Sequence, residues 1–183
     1  MDNNKIMIVG TGNVGASIAF ALVNQRTAVN EIVLTDIIAK DAEGEAMDLA
    51  DALAVAPSYV KIHRGTYKDA KDGDVVVITA GAAQRPGETR MQLLKKNVNI
   101  LKGMIEQIMA SGFNGIFLVV TNPMDILTDY TWKFSGLPYE ISTVCTAYIK
   151  RPDISREKTQ RDYGRAYIEQ HGLYWRYDDE RGE

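Results

Sequence analysis

The chain has 183 residues, 45% of them hydrophobic, with 21 basic and 24 acidic side chains and a net charge of −3. That length and apolar content predict one packed domain, or one domain plus a fragment, and exclude a disordered chain. The balanced charge gives no reason to expect nucleic acid or anionic lipid as a partner, no apolar run is long enough to span a bilayer, and the single cysteine, Cys145, allows no intrachain disulfide.

Met1-Asp2-Asn3-Asn4-Lys5 leads straight into an apolar run, so no signal peptide is expected and the chain is assigned to the cytoplasm. Lys5-Ile6-Met7-Ile8-Val9, closed by a glycine, predicts a buried parallel strand. Residues 14–25 carry apolar side chains at helical spacing, with Val14, Ile18, Ala21 and Leu22 as the expected inner face. A second strand follows at Glu31-Ile32-Val33-Leu34-Thr35-Asp36, then an alanine-rich helix over 39–54 and a short strand over 60–63. Asp74 to Gly81 is the strongest strand, because six consecutive apolar or β-branched residues are closed by glycine. Residues 89–111 predict one long amphipathic helix with Leu93, Leu94, Val98, Leu101, Ile105 and Ile108 inward. Gly115 to Thr121 is a further strand stopped by Asn122-Pro123, and residues 126–134 a further helix ended by Ser135-Gly136-Leu137-Pro138.

Strands that are apolar throughout and alternate with helices predict an α/β fold: a doubly wound parallel sheet with both faces covered. Past residue 140 the texture changes. Residues 141–183 hold 16 charged side chains, eight of each sign, and five of the nine tyrosines. A helix over 156–170 is allowed there, with a thin apolar face of Tyr163, Ala166 and Tyr167. A boundary is therefore expected near Tyr139–Ile141, dividing an α/β domain over 1–140 from a divergent charged tail over 141–183.

Gly10-Thr11-Gly12-Asn13-Val14-Gly15 is a G-x-G-x-x-G between a strand and a helix. Gly10 permits the tight turn, Gly12 lets the backbone approach a pyrophosphate, and Gly15 lets helix and strand pack closely. The helix start offers free N–H groups and a positive dipole end to the phosphates. Such a turn alone is weak evidence. Asp36, closing the second strand about 20 residues on, strengthens it, because a carboxylate there accepts both ribose hydroxyls. It also favours NAD over NADP, since it would repel a 2′-phosphate.

Three further stretches carry a resemblance: Thr79-Ala80-Gly81-Ala82-Ala83-Gln84-Arg85-Pro86-Gly87-Glu88-Thr89-Arg90; Val120-Thr121-Asn122-Pro123-Met124-Asp125; and Thr131-Trp132-Lys133-Phe134-Ser135-Gly136-Leu137-Pro138. With the glycine turn they make residues 5 to about 140 resemble the bacterial L-lactate dehydrogenases of the lactate/malate dehydrogenase family. The resemblance implies that residues 1–140 form an NAD-binding Rossmann domain, with NAD as cofactor, pyruvate and L-lactate as substrates, no metal, and homo-oligomers for whole family members. It implies that Arg90, on a mobile loop, polarises the substrate keto oxygen, a task suited to a guanidinium because it stays charged. Gln84 would contact the substrate side chain. Malate-preferring relatives place an arginine there, so a neutral glutamine favours lactate. Asn122 would touch both the nicotinamide carboxamide and the substrate, and Asp125 the substrate. Val14, Tyr67, Gly81, Ala82, Asn99 and Val120 would line the cofactor.

Family members then supply an aspartate, an arginine three residues later, and a histidine within Gly-Glu-His-Gly-Asp that gives or takes the hydroxyl proton. Here Asp153-Ile154-Ser155-Arg156 has the first spacing. Glu169-Gln170-His171-Gly172 echoes the second stretch without the following aspartate, and the interval from Asp153 to His171 is shorter than in the family. His171 and Asp153 are thus the candidate catalytic pair, while His63, in a strand far upstream, reads as structural. The chain is expected to stop before a substrate domain. Three readings stay open: a lactate dehydrogenase inactive in this shortened form, an NAD-binding module without catalysis, and a non-functional fragment.

Overall fold

The computed structural model describes residues 4–25, 27–57 and 59–137, and the backbone of two short strands beyond them. Five strands, β1 (Lys5–Val9), β2 (Glu31–Thr35), β3 (Lys61–Arg64), β4 (Val75–Ile78) and β5 (Ile116–Val119), form one sheet in the order β3-β2-β1-β4-β5. Every neighbouring pair in it is parallel. The helices α1 (Asn13–Asn24), α2 (Ala39–Ala52), α3 (Arg90–Ala110) and α4 (Met124–Ser135) connect them, and a 3₁₀ turn at Tyr67–Ala70 precedes β4.

The side-chain period of two explains the unbroken apolar strands. Met7, Val9, Val33, Val76, Ile78 and Phe117 point to one face and pack with Leu101, Ile105 and Ile108 of α3 and Leu127 of α4. Ile8, Ile32, Leu34 and Val77 point to the other and pack with Ala19 and Val23 of α1 and Ala42, Ala46 and Leu49 of α2. Phe113 and Phe117 meet edge to face at 4.9 Å between ring centroids.

Several elements differ in detail from the sequence expectation. On α1 the buried residues are Gly15, Ala19 and Val23, while Val14 is exposed. At Gly15 the helix lies so close to the β1 turn that a Cβ would overlap the Gly10 carbonyl, and Ile18 and Leu22 pack from beside the buried line. On α3 the inner line includes Asn97 and Met104 beside Leu101, Ile105 and Ile108. Helix α4 begins at Met124, capped by Pro123, because Asp125 in its first turn suits the helix N-terminus. Within the stretch where a helix over 156–170 was allowed, a two-residue strand, β6 (Ala166–Tyr167), pairs antiparallel with β7 (Tyr174–Trp175).

Candidate functional site

Strand order fixes where a ligand would sit. From β1 the chain runs outward through β2 to β3, then returns to lay β4 on the other side of β1. The two halves diverge at the carboxyl ends of β1 and β4, the switch point where open α/β sheets bind ligands.

The β1 turn is built around its glycines. Gly10 has φ +101°, and its N–H donates to the Thr35 carbonyl at 2.8 Å. A side chain at Gly10 would press on the Ala80 backbone at 2.6 Å, and one at Gly15 would overlap the Gly10 carbonyl oxygen. The Thr79 hydroxyl locks the turn by donating to the Gly10 carbonyl at 2.6 Å. Gly12 is different. It caps α1 with φ −68°, and a Cβ there would meet nothing within 4 Å. No internal contact requires glycine at this position. Its bareness keeps the mouth of α1 clear, where the first N–H groups of the helix have no intrahelical partners. A pyrophosphate fits that ground, and a Cβ would occupy part of it.

Asp36 follows β2 at the same end of the sheet. One carboxylate oxygen accepts from the Thr11 N–H at 2.7 Å and the other from the Ile38 N–H at 3.1 Å. These bonds fix the carboxylate beside the glycine turn and leave lone pairs for ribose hydroxyls. Tyr67, half-buried, stands within electrostatic reach of it: burial and the Asp36 charge both push the phenol above its ordinary value, so it stays a neutral donor.

Across the switch point two loops leave β4 and β5. Thr121 donates to the Ala80 carbonyl at 2.9 Å, and a side chain at Gly81 would overlap the Thr121 methyl, so Gly81 has a packing reason to be glycine. Val120 continues β5, its N–H donating to the Ile78 carbonyl at 2.9 Å. Ala82 donates its N–H to the Asn97 side chain at 2.8 Å, and the Asn97 amide donates to the Asn122 carbonyl at 3.4 Å. Beyond Ala82 the loop folds on itself. Gln84 donates to the Glu88 carbonyl at 2.8 Å, and the Glu88 carboxylate accepts from the Arg85 N–H at 2.9 Å. Thr89 caps α3 through a reciprocal pair with Gln92, which sets Arg90 on the first turn of that helix. Gln84, Arg90, Asn122 and Asp125 are all exposed.

The fold thus gathers Gly10, Gly12, Val14, Gly15, Asp36, Tyr67, Gly81, Ala82, Val120 and Asn122 at one end of the sheet, with Gln84 on the loop beside them and Arg90 on the first turn of α3. Asn99 lies exposed on α3, roughly 200° around the helix from Asn97. His171 and Asp153 lie outside the described residues. His63 sits on the edge strand β3, in register with Val33, its Nε2 2.7 Å from the Glu31 carboxylate at the start of β2 and its Nδ1 2.9 Å from the Arg64 carbonyl. The sequence reading missed the polar residues that hold the turn and loops from within: Thr11, Thr79, Asn97 and Thr121. The only signal was their position, three at strand ends and one interrupting an apolar helix face.

Residues 4–141 match the family model described as the lactate/malate dehydrogenase, NAD binding domain. The chain is 55% identical over 137 residues to L-lactate dehydrogenase 1 of Peribacillus psychrosaccharolyticus, an alignment covering 75% of this chain and 43% of that protein. It superposes with TM-score 0.76 and 53% identity on a lactate dehydrogenase from a Medee basin deep-sea metagenome library, covering 79% of this chain and 46% of that one. The malate dehydrogenase of Archaeoglobus fulgidus in complex with NADH gives TM-score 0.69 at 44% identity, covering 73% and 46%. The chain therefore spans less than half the length of the relatives it matches.

Proposed function

Because the chain belongs to the lactate/malate dehydrogenase family, we propose that it forms the nucleotide-binding half of an NAD-dependent L-lactate dehydrogenase, interconverting L-lactate and pyruvate. The observation that carries the cofactor assignment is the bare ground at Gly12 facing Asp36: an open cradle at a helix start, with a fixed carboxylate beside it. NAD, when bound, supplies the hydride acceptor or donor. The chain's own residues do the rest. The first N–H groups of α1 would hold the pyrophosphate, Asp36 the adenosine ribose, and Asn122 the nicotinamide carboxamide. Val14, Tyr67, Gly81, Ala82 and Val120 would border the cofactor, and the exposed Asn99 is the weakest of the cofactor assignments.

Arg90 would lie over the substrate and stabilise charge developing on its keto oxygen. Asp125 would face the substrate from the first turn of α4. Gln84, being neutral, would accept the methyl of pyruvate, where an arginine would pair a second carboxylate. The candidate donor of the hydroxyl proton is His171, with Asp153 to orient it, but their interval is shorter than in the family, so we expect no working donor and no turnover from this chain as it stands. The substrate and product are small molecules, so neither nucleic acid nor a membrane is required as a partner.

The cofactor assignment is tested by calorimetric titration with NAD and NADP. The expected result is NAD preference, lost in Asp36→Ser, because that carboxylate accepts the ribose hydroxyls and repels a 2′-phosphate. Equal affinity for the two in the unmodified chain would remove the role given to Asp36.

A second reading, an NAD-binding module without turnover, is favoured by one observation. Among the described residues the sole histidine, His63, lies on the edge strand β3 with both ring nitrogens engaged, by the Glu31 carboxylate and by the Arg64 carbonyl.

A further inference from the structure

We infer that Asn97, on the buried face of α3, is a positioning residue for the nicotinamide end of the cofactor, an inference that rests on the cofactor reading above. Its side chain is 3% exposed, in a line otherwise made of Leu101, Met104, Ile105 and Ile108. A polar amide in such a place costs free energy unless it is bonded. It is bonded to the two loops that leave the switch point. Its oxygen accepts from the Ala82 N–H at 2.8 Å, and its nitrogen donates to the Asn122 carbonyl at 3.4 Å.

Those two contacts define a geometry that no backbone bond in the sheet supplies. The Ala82 bond closes the segment from Ala82 to Asn97 into a ring, with Gln84 on its loop and Arg90 on the first turn of α3. The Asn122 bond fixes the peptide of the residue whose side chain faces the nicotinamide. With the Thr121 bond to the Ala80 carbonyl, Asn97 ties the loop that leads to Arg90 to the loop that carries Asn122, and of the two side chains only Asn97 reaches Ala82 and the Asn122 peptide. The pyrophosphate and adenosine ribose would be held elsewhere, at Gly12 and Asp36, and the bond that fixes Asp36 to the Thr11 N–H does not involve Asn97. Asn97 therefore acts on one half of the dinucleotide.

That division gives a readout that general destabilisation would not produce. NADH and ADP-ribose, which lacks the nicotinamide, are titrated calorimetrically into the unmodified chain, Asn97→Leu and Asn97→Asp. Asn97→Leu should weaken NADH binding roughly tenfold and leave ADP-ribose within about twofold. Asn97→Asp keeps the acceptor for Ala82 but loses the donor to Asn122, so its NADH loss should be smaller, again with ADP-ribose spared. Equal weakening of both ligands, or undiminished NADH binding, would overturn the inference. If Asn97→Leu does not fold, Asn97→Asp carries the same two outcomes. If the unmodified chain binds neither ligand, the cofactor reading itself fails and this inference falls with it. Binding of ADP-ribose with equal affinity to NADH by the unmodified chain would overturn this inference alone.

Discussion

A single methyl group distinguishes the duties of two glycines in one turn. At Gly15 it would overlap the Gly10 carbonyl, while at Gly12 it would meet open space. Gly15→Ala should therefore destabilise the fold, by about 3 kcal/mol or more, since the atom it would overlap belongs to the Gly10 backbone, which the Thr79 hydroxyl locks in place. Gly12→Ala should cost at most about 1 kcal/mol, the usual penalty for alanine at a helix cap. It should nonetheless weaken NAD binding roughly tenfold or more. Thermal unfolding and calorimetry on the two variants separate the effects. Loss of stability in Gly12→Ala matching that in Gly15→Ala would mean the open ground at the mouth of α1 is a structural feature. The glycine spacing and Asp36 were legible in the sequence because their chemistry is local. Asn97 was not, because a polar residue within an apolar stripe reads as an interruption until the loops that bond to it are in view.

The strands and helices were legible because burial on both faces leaves an unbroken apolar run, and only a parallel sheet uses such runs in alternation with helices. The inner face of α1 was harder. Its contact line is Gly15, Ala19 and Val23, so the closest approach, at Gly15, falls on the one residue with no side chain to mark it. The outer strand β3 is held by charge as well as by backbone. Glu31 on β2 is bonded to Lys61 at 2.9 Å and to His63 at 2.7 Å, both on β3. Burial raises the Glu31 pKa, but the bonds from His63 and Lys61 and the nearby charge of Lys5 outweigh it, so the folded value lies below the ordinary one. A depressed carboxylate contributes stability that is present above its unfolded value and lost as pH falls through the folded one. The stability of the chain should thus decline as pH drops below the ordinary carboxylate range. Asp69, held down mainly by the Thr66 N–H, and Asp72, held down mainly by the Lys5 ammonium, add to the slope. Glu31→Gln should cost about 1–2 kcal/mol at neutral pH and flatten that acid limb. Denaturant midpoints across pH 3–7 are the measurement (roughly the span over which carboxylates titrate), and an unchanged acid limb in the variant would dissociate Glu31 from it.

At the scale of the whole molecule, cofactor grip and proton supply are separate assets. We expect these 183 residues alone to give negligible pyruvate-dependent NADH oxidation. Arg90 can polarise a carbonyl, but general acid catalysis is worth about 10²–10⁴-fold, and a positioned substrate carboxylate adds orientation. The assay is run beside His171→Ala; robust turnover abolished by that substitution would assign the proton to His171 and reverse the expectation. In a chain completed with a relative's second half, Gln84→Arg should raise kcat/KM for oxaloacetate relative to pyruvate. An unchanged ratio would remove Gln84 from the pocket. The sheet order has a consequence for how the chain is made. β1 sits at the centre, and its second neighbour, β4, pairs Ile6 with Val75 and Val9 with Ile78. During synthesis β1 and β2 can join early, but the other edge of β1 stays open until residues about 70 positions later have left the ribosome. At typical elongation rates that wait is on the order of several seconds. Throughout it an apolar strand with unpaired backbone groups is presented to the cell, so the most central strand of the finished protein is also the longest exposed in the nascent one.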